Sequence, residues 1–133
     1  IYRNFALCLF FSLTLTGLLT QLLKHVIGRP RPNHISFDGS FEFNFFSLNA
    51  DFHSFPSGHT STIFAVFLVI IIFVPKLKYF FLFLAGIIAF SRIVVGAHFF
   101  TDVVGGVAIS YLGIKLTKLL FQKYYPIVGL LLL

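Results

Sequence analysis

Residues Pro56 to Val74 read PSGHTSTIFAVFLVIIIFV, a polar tetrapeptide that runs without a break into a segment apolar enough to lie in lipid. Three more windows have the same character, Phe5 to Leu23, Tyr79 to Ala97 and Val103 to Phe121, and with Ser57 to Val74 each holds 18 or 19 residues. At about 1.5 Å rise per residue such a helix reaches about 27 to 28 Å, close to the roughly 30 Å hydrocarbon core of a bilayer. Composition agrees: 58% of residues are hydrophobic, 20 are Phe and only 11% are charged, against roughly 25% charged in soluble domains. The expected fold is all-α, a single integral membrane helical bundle with four transmembrane helices over residues 1–133 and no second domain.

The chain begins at Ile1 and contains no Met, so the expectation is an excised piece of a longer protein with one or more helices missing. Pro126 to Leu133 is apolar but reaches only about 12 Å as a helix, and is expected to be the stump of a further span. The single Cys8 lies inside the first window and is expected to be a small apolar filler.

Four spans put the segment Lys24 to Phe55 and the turn around His98 on one side of the membrane. On the other side fall Arg3, Lys76, Lys78, Lys115, Lys118 and Lys123, with no acid among them. The first side carries Lys24, Arg29, Arg31 and Arg92 together with all four acids, Asp38, Glu42, Asp51 and Asp102. The positive-inside rule then assigns the six unbalanced cations to the cytoplasm. The net charge of +6 is accounted for by topology, and these dispersed helix-end charges give no footprint for nucleic acid. His25, His34, His53, His59 and His98 all lie outward, so polar chemistry is concentrated on the external or periplasmic face.

Three polar islands occupy that face. In the first, Lys24 to Pro32, Gly28 and two prolines stop the helix and stiffen the turn, so Lys24 and Arg31 can aim at one anion. These cations sit where the positive-inside rule wants few. Arg29, two residues from Arg31, is left open as a ligand for a second phosphate or a lipid headgroup. The second island is Pro56-Ser57-Gly58-His59: Ser57 suits an N-cap, and small Gly58 leaves first-turn N–H groups approachable by an anion. In the third, Ser91-Arg92 is followed by His98 and Asp102, which are four apart and share a helical face. A carboxylate beside an imidazole fixes its tautomer and stabilises charge on the ring. Arg92, within an apolar span, is a functional candidate by default; its structural alternative is an ion pair with Asp102 that ties two helices.

Written together, the islands resemble the signature motifs of the type 2 phosphatidic acid phosphatase superfamily, whose other branches are bacterial nonspecific acid phosphatases and vanadium haloperoxidases. The family pattern is K-x6-R-P, P-S-G-H and S-R-x5-H-x3-D. Here it reads Lys24 to Arg31-Pro32, Pro56 to His59, and Ser91-Arg92 to His98 to Asp102. Membrane members of that family have six spans against the four visible here, so the resemblance implies part of a six-helix fold. It implies that His98 attacks phosphorus, that Asp102 orients it, and that His59 protonates the leaving oxygen and then activates water. Lys24, Arg31, Ser57, Gly58 and Arg92 would hold the phosphoryl oxygens, with no metal and no other cofactor. The implied substrate is a lipid phosphate or diphosphate, turned over at the outer face of a bacterial inner (plasma) membrane. Undecaprenyl diphosphate, phosphatidylglycerol phosphate, phosphatidic acid and lipid A phosphates all fit. The vanadate-binding branch is soluble, which argues for the phosphatase branch.

Two other classes compete. His59, His98 and Asp102 have identities that suit zinc, as in an intramembrane metal-dependent hydrolase, although the surrounding cations would repel a dication. A transporter would use the intramembrane ionisable groups as a path, yet they lie at one end of the spans only. Between the first two islands, Phe37, Phe41, Phe43, Phe45, Phe46, Phe52 and Phe55 make an unusually aromatic connection. Alternation at Phe41, Phe43 and Phe45 predicts one apolar face in the headgroup layer, placed over the site to guide a lipid into it. His25, His34 and His53 match no motif position and are expected to be noncatalytic.

Overall fold

The structure is a computed structural model and describes residues 2–35 and 41–124. Phe37, Asp38 and the apolar tail Pro126 to Leu133 lie outside the described residues. Four helices run in order, α1 (Tyr2–Ile27), α2 (Gly58–Phe73), α3 (Lys78–Val94) and α4 (Phe100–Tyr124), with 3-10 turns at Pro32–His34, Ala50–Phe52 and Pro75–Leu77. No strand occurs among the described residues, as expected of a helical membrane bundle.

Local chemistry sets the ends. Gly28 takes a left-handed φ of 56° just past α1, where a Cβ would run into the Asn44 carbonyl; its own carbonyl accepts from Asn44 N–H at 2.8 Å. Ser57 caps α2, its hydroxyl oxygen accepting from the Thr60 N–H. Pro75 ends that helix because it has no N–H to continue the ladder. At α4, Asp102 occupies the third helical position and reaches back to the Phe99 N–H at 2.8 Å, the acidic half of a capping box.

Three segments are long and apolar enough to cross a membrane: Tyr2–His34, Pro75–Val94 and Phe100–Gln122. The exception is α2, as apolar as expected but only 16 residues long, or about 24 Å. Its start at Gly58, set by the Ser57 cap, and its stop before Pro75 remove the outermost residues of the predicted window.

The short helix α2 is central. It packs on α1, α4 and α3, whereas α3 leans chiefly on α2. Lipid tails are as apolar as leucine, so helices in a bilayer associate through close packing and hydrogen bonds rather than through a hydrophobic drive. The α1/α2/α4 seam follows that rule. Gly113 lies against Thr16, and a Cβ on Gly106 would come within 2.8 Å of the Ser57 carbonyl oxygen. Ser12 donates to Thr117 at 3.2 Å and Thr20 to Ser61 at 3.0 Å, both pairs buried. An apolar cluster of Cys8, Val69 and Phe121, edged by Phe5, Phe11 and Phe73, fills the opposite end of the bundle. Large side chains such as Phe83, Phe90 and Val94 point outward, where a bilayer would meet them.

Candidate active site

The ends of α1 and α3, the start of α2 and the residues leading into α4 come together at one end of the bundle. They enclose a cavity of about 690 Å³ lined by Lys24, Arg31, Gly58, His59, Arg92 and His98, six of the eight residues singled out in the sequence. Ser57 and Asp102 are the other two. Both are fully buried and lie behind the cavity wall, linked by a 2.9 Å bond from Ser57 N–H to the Asp102 carbonyl. The Ser57 hydroxyl oxygen accepts from Thr60, from its N–H at 3.4 Å and its O–H at 3.0 Å. It therefore acts as the helix cap and does not line the cavity.

The segment between α1 and α2 folds back to position the cations. Arg31 N–H donates to the Asp51 carbonyl and Ser54 N–H to the Arg29 carbonyl, each at 3.0 Å. That pairing brings the His53 carbonyl to 2.6 Å from Lys24 Nζ. An ammonium has three protons, so two remain to face the cavity. Arg31 Nε donates to the Ala50 carbonyl at 3.2 Å, which steers the rest of its guanidinium. Arg92 Nε contacts the Ser91 hydroxyl at 3.3 Å. His59 is exposed to the cavity and has no hydrogen-bond partner among the described residues.

His98 is held from behind. Its Nδ1 lies 2.8 Å from the Ser54 carbonyl oxygen. A carbonyl only accepts, so Nδ1 carries the hydrogen and Nε2 keeps its lone pair. Asp102 lies farther off, with Oδ2 3.7 Å from that nitrogen, beyond hydrogen-bond range. Direct contact between the two was the expectation from their spacing. Instead the Asp102 carboxylate is occupied by Arg29 Nη1 at 2.6 Å, the Ser54 hydroxyl at 2.5 Å and Phe99 N–H at 2.8 Å.

Arg29, left open in the sequence, is thus a partner of Asp102 and not a cavity cation. It also donates to Thr101 at 2.6 Å, and its guanidinium lies 4.3 Å from the centroid of the Phe99 ring. The ion pair imagined between Arg92 and Asp102 is replaced by this one, which frees Arg92 to line the cavity. Ser54 carries no mark in the sequence, since nothing about an isolated serine foretells that both its hydroxyl and its carbonyl serve one site.

His25, His34 and His53 stay off the cavity wall. His25 bonds the Gln21 carbonyl at 2.8 Å, His53 the Ser47 carbonyl at 2.8 Å, and His34 lies 3.2 Å from Asp51. Among the described residues no three His, Cys, Asp or Glu side chains gather as a metal site would require; His59, His98 and Asp102 do not converge on one point. The alternating aromatics do form one row: Phe41 meets Phe43 edge to face, Phe43 stacks on Phe45, and Phe41 touches Phe99. None of these rings lines the cavity.

The profile described as the PAP2 superfamily matches residues 5–126. Among curated proteins, a lipid A 1-phosphatase of Rhizobium johnstonii is 39% identical over 115 residues, covering 86% of this chain and 47% of the relative. A lipid A 1-phosphatase of Rhizobium etli is 38% identical over 115 residues, covering 86% of this chain and 50% of the relative. The chain thus spans about half the length of the curated relatives it matches. No solved structure matches significantly.

Proposed function

The chain belongs to the PAP2 superfamily, and from that premise we propose that it acts as an integral membrane phosphatase on a lipid phosphate. The observation that carries the reading is the state of His98: its Nδ1 is taken by the Ser54 carbonyl, while the ring borders a cavity that also holds Lys24, Arg31, Arg92 and His59. A phosphoryl group in that cavity meets one nucleophilic nitrogen, three cations for its oxygens and a second imidazole. Phosphoryl transfer needs in-line positioning and positive charge around the equatorial oxygens, and little else.

In the first step His98 Nε2 attacks phosphorus and the bond from phosphorus to the lipid oxygen breaks. Protonated His59 gives its proton to that oxygen, and the lipid alcohol leaves. In the second step His59, now neutral, takes a proton from water, the water oxygen bonds phosphorus, and the Nε2–P bond breaks to release phosphate. Lys24, Arg31, Arg92 and the Gly58 backbone N–H stabilise the oxygens throughout. Asp102 supplies negative charge 3.7 Å behind the ring as it becomes cationic. No step in this scheme uses a metal.

The names of the two relatives support a phosphorylated glycolipid such as lipid A as substrate. The charge asymmetry between the two ends supports a site facing the periplasm. Phosphate release from a panel of lipid phosphates and diphosphates by the full-length protein in detergent, with and without chelator, tests the reading alongside His98→Ala. Chelator-resistant release that the substitution abolishes is expected. Release that survives in His98→Ala, or that stops with chelator, would overturn the mechanism, and release from no lipid would overturn the function.

A further inference from the structure

The wall of the cavity changes character with depth. α1 ends at the site and α2 begins there, so residues before Lys24 and after His59 lie progressively farther into the bundle. The cations stand at the level of His98. Three residues along each helix, about 4.5 Å deeper, come Gln21 on α1 and Thr62 on α2, both lining the cavity and exposed to it. Ile63 and Ile88 lie lower still, Ile88 one turn below Arg92 on α3. Because α1 and α3 both pack on α2 rather than on each other, the cavity runs down between them over the face of α2.

Other uncharged polar groups of this wall are already committed. Thr20 donates to Ser61 at 3.0 Å, and Ser61 in turn donates to the Gly58 carbonyl at 3.0 Å. The side chains of Gln21 and Thr62 have no hydrogen-bond partner among the described residues. A helical hydroxyl can settle on a carbonyl of its own helix, as those of Ser110 and Thr117 do, yet that of Thr62 does not. An amide and a hydroxyl left unpaired beside hydrocarbon are unfavourable, and a ligand with matching groups removes that penalty.

We propose that Gln21 and Thr62 read the linker of the substrate, the part of the lipid alcohol next to its phosphate. They select lipids whose linker carries hydroxyl, ester or amide groups over polyprenyl phosphates, whose first carbons are plain hydrocarbon. The assignment rests on the phosphatase reading, which puts phosphorus among Lys24, Arg31, Arg92 and His98. Three layers then match such a lipid in order: cations for the phosphate, an amide and a hydroxyl for the linker, isoleucines for the chains. Depth agrees as well. In a glycerol phosphate or an acylated amino sugar phosphate the first polar group beyond the ester oxygen is four bonds from phosphorus, about 5 Å when extended. A site built to bond such a group discriminates against an analogue lacking it, because its own polar groups are then left unpaired.

The test measures kcat/KM of the full-length protein in detergent on lipid A, phosphatidic acid and undecaprenyl phosphate. It compares the unsubstituted enzyme with a variant carrying Gln21→Leu and Thr62→Val together, which keeps side-chain bulk and removes the polar groups. The unsubstituted enzyme should favour one of the first two lipids, which assigns the linker to an amino sugar or to glycerol. In the double variant the ratio of that lipid to undecaprenyl phosphate should fall about 10-fold, the effect of one or two neutral hydrogen bonds. Replacing Thr62→Val by Thr62→Ser, which returns the hydroxyl, should recover part of the ratio, and thermal melts separate misfolding from lost recognition. A preference for undecaprenyl phosphate in the unsubstituted enzyme, or an unchanged ratio in the double variant, would overturn the proposal. So would equal losses on all three lipids in a folded variant, the result expected if Gln21 ties α1 to another part of the full-length protein. These results leave the phosphatase reading intact so long as His98→Ala abolishes release, whereas release from none of the lipids would defeat that reading and the proposal with it.

Discussion

Arg29→Met isolates the buried ion pair that supports the site. Methionine keeps the length and apolar contact of the stem over Phe99 while removing the charge 2.6 Å from Asp102 Oδ1. Asp102 is fully buried and Arg29 is 18% exposed, so solvent screens the pair weakly. Stripping one partner from a buried pair costs about 3 to 5 kcal/mol because the other charge is left uncompensated. Ser54 and Phe99 still donate to the carboxylate, which places this case at the lower end, about 3 kcal/mol. The lost cation–π contact with Phe99 adds about 0.5 to 1 kcal/mol. Cys8, fully buried, offers a reporter: in a full-length background where it is the single thiol, a fluorogenic maleimide reads unfolding directly. Removing both charges, with Arg29→Met and Asp102→Asn together, should recover most of the loss, because no unpaired ion remains. A single Arg29→Met variant within about 1 kcal/mol of the parent, or a double variant worse than the sum of the two singles, would show that the pair is not what holds the loop to α4.

Other substitutions probe packing and site separately. Gly106→Ala puts a Cβ 2.8 Å from the Ser57 carbonyl oxygen and 3.2 Å from the Ser61 nitrogen, both backbone atoms, and should destabilise by about 1 to 3 kcal/mol; Gly86→Ala, with nothing within 4 Å, should be near neutral in the same unfolding assay. Gly58→Ala meets Lys24 Cε at 3.6 Å and Thr20 Cγ2 at 4.0 Å, ordinary van der Waals contacts, so the protein should fold normally, yet the methyl crowds the anion approach to the first turn of α2 and phosphate release should fall about 10-fold or more. Changing Phe41, Phe43 and Phe45 together to Ser should reduce turnover of lipid substrates more than of a soluble phosphate ester, and equal losses on both would count against a membrane role for the row.

The three islands were legible because their chemistry is local: Lys24 sits in the last turn of α1 with Arg31 a few residues on between two prolines, and His98 lies just ahead of α4 with Asp102 in its first turn. Helix positions followed from the apolar runs, while their ends did not: α1 and α4 run past their windows at both ends, and α2 stops short at both because capping by Ser57 and the stop before Pro75 outweigh hydropathy. What stayed hidden depends on contacts between distant positions. Asp102 has its charge partner 73 residues away in Arg29 and its hydroxyl partner 48 residues away in Ser54, and neither pairing leaves a periodic or compositional trace. The spacing of His98 and Asp102 therefore predicted proximity correctly but mistook which oxygen faces the ring, because a carboxylate goes to the strongest donors available, here a guanidinium.

The hydroxyl pairs of the helical seam, Ser12 with Thr117 and Thr20 with Ser61, act as a vernier for the chemistry above them. An apolar seam would let one helix slide on another at little expense, for leucine against lipid and leucine against leucine are nearly equivalent. A displacement of one residue along α4 moves its side chains about 1.5 Å axially and turns them about 100°, enough to swing Asp102 out from behind the imidazole. Matched hydrogen bonds, Ser12 with Thr117 between α1 and α4 deep in the bundle and Thr20 with Ser61 between α1 and α2 at the cavity wall, admit a single setting of that scale. The alignment of the groups at the membrane surface is thereby kept in part by Ser12 and Thr117, which do not line the cavity.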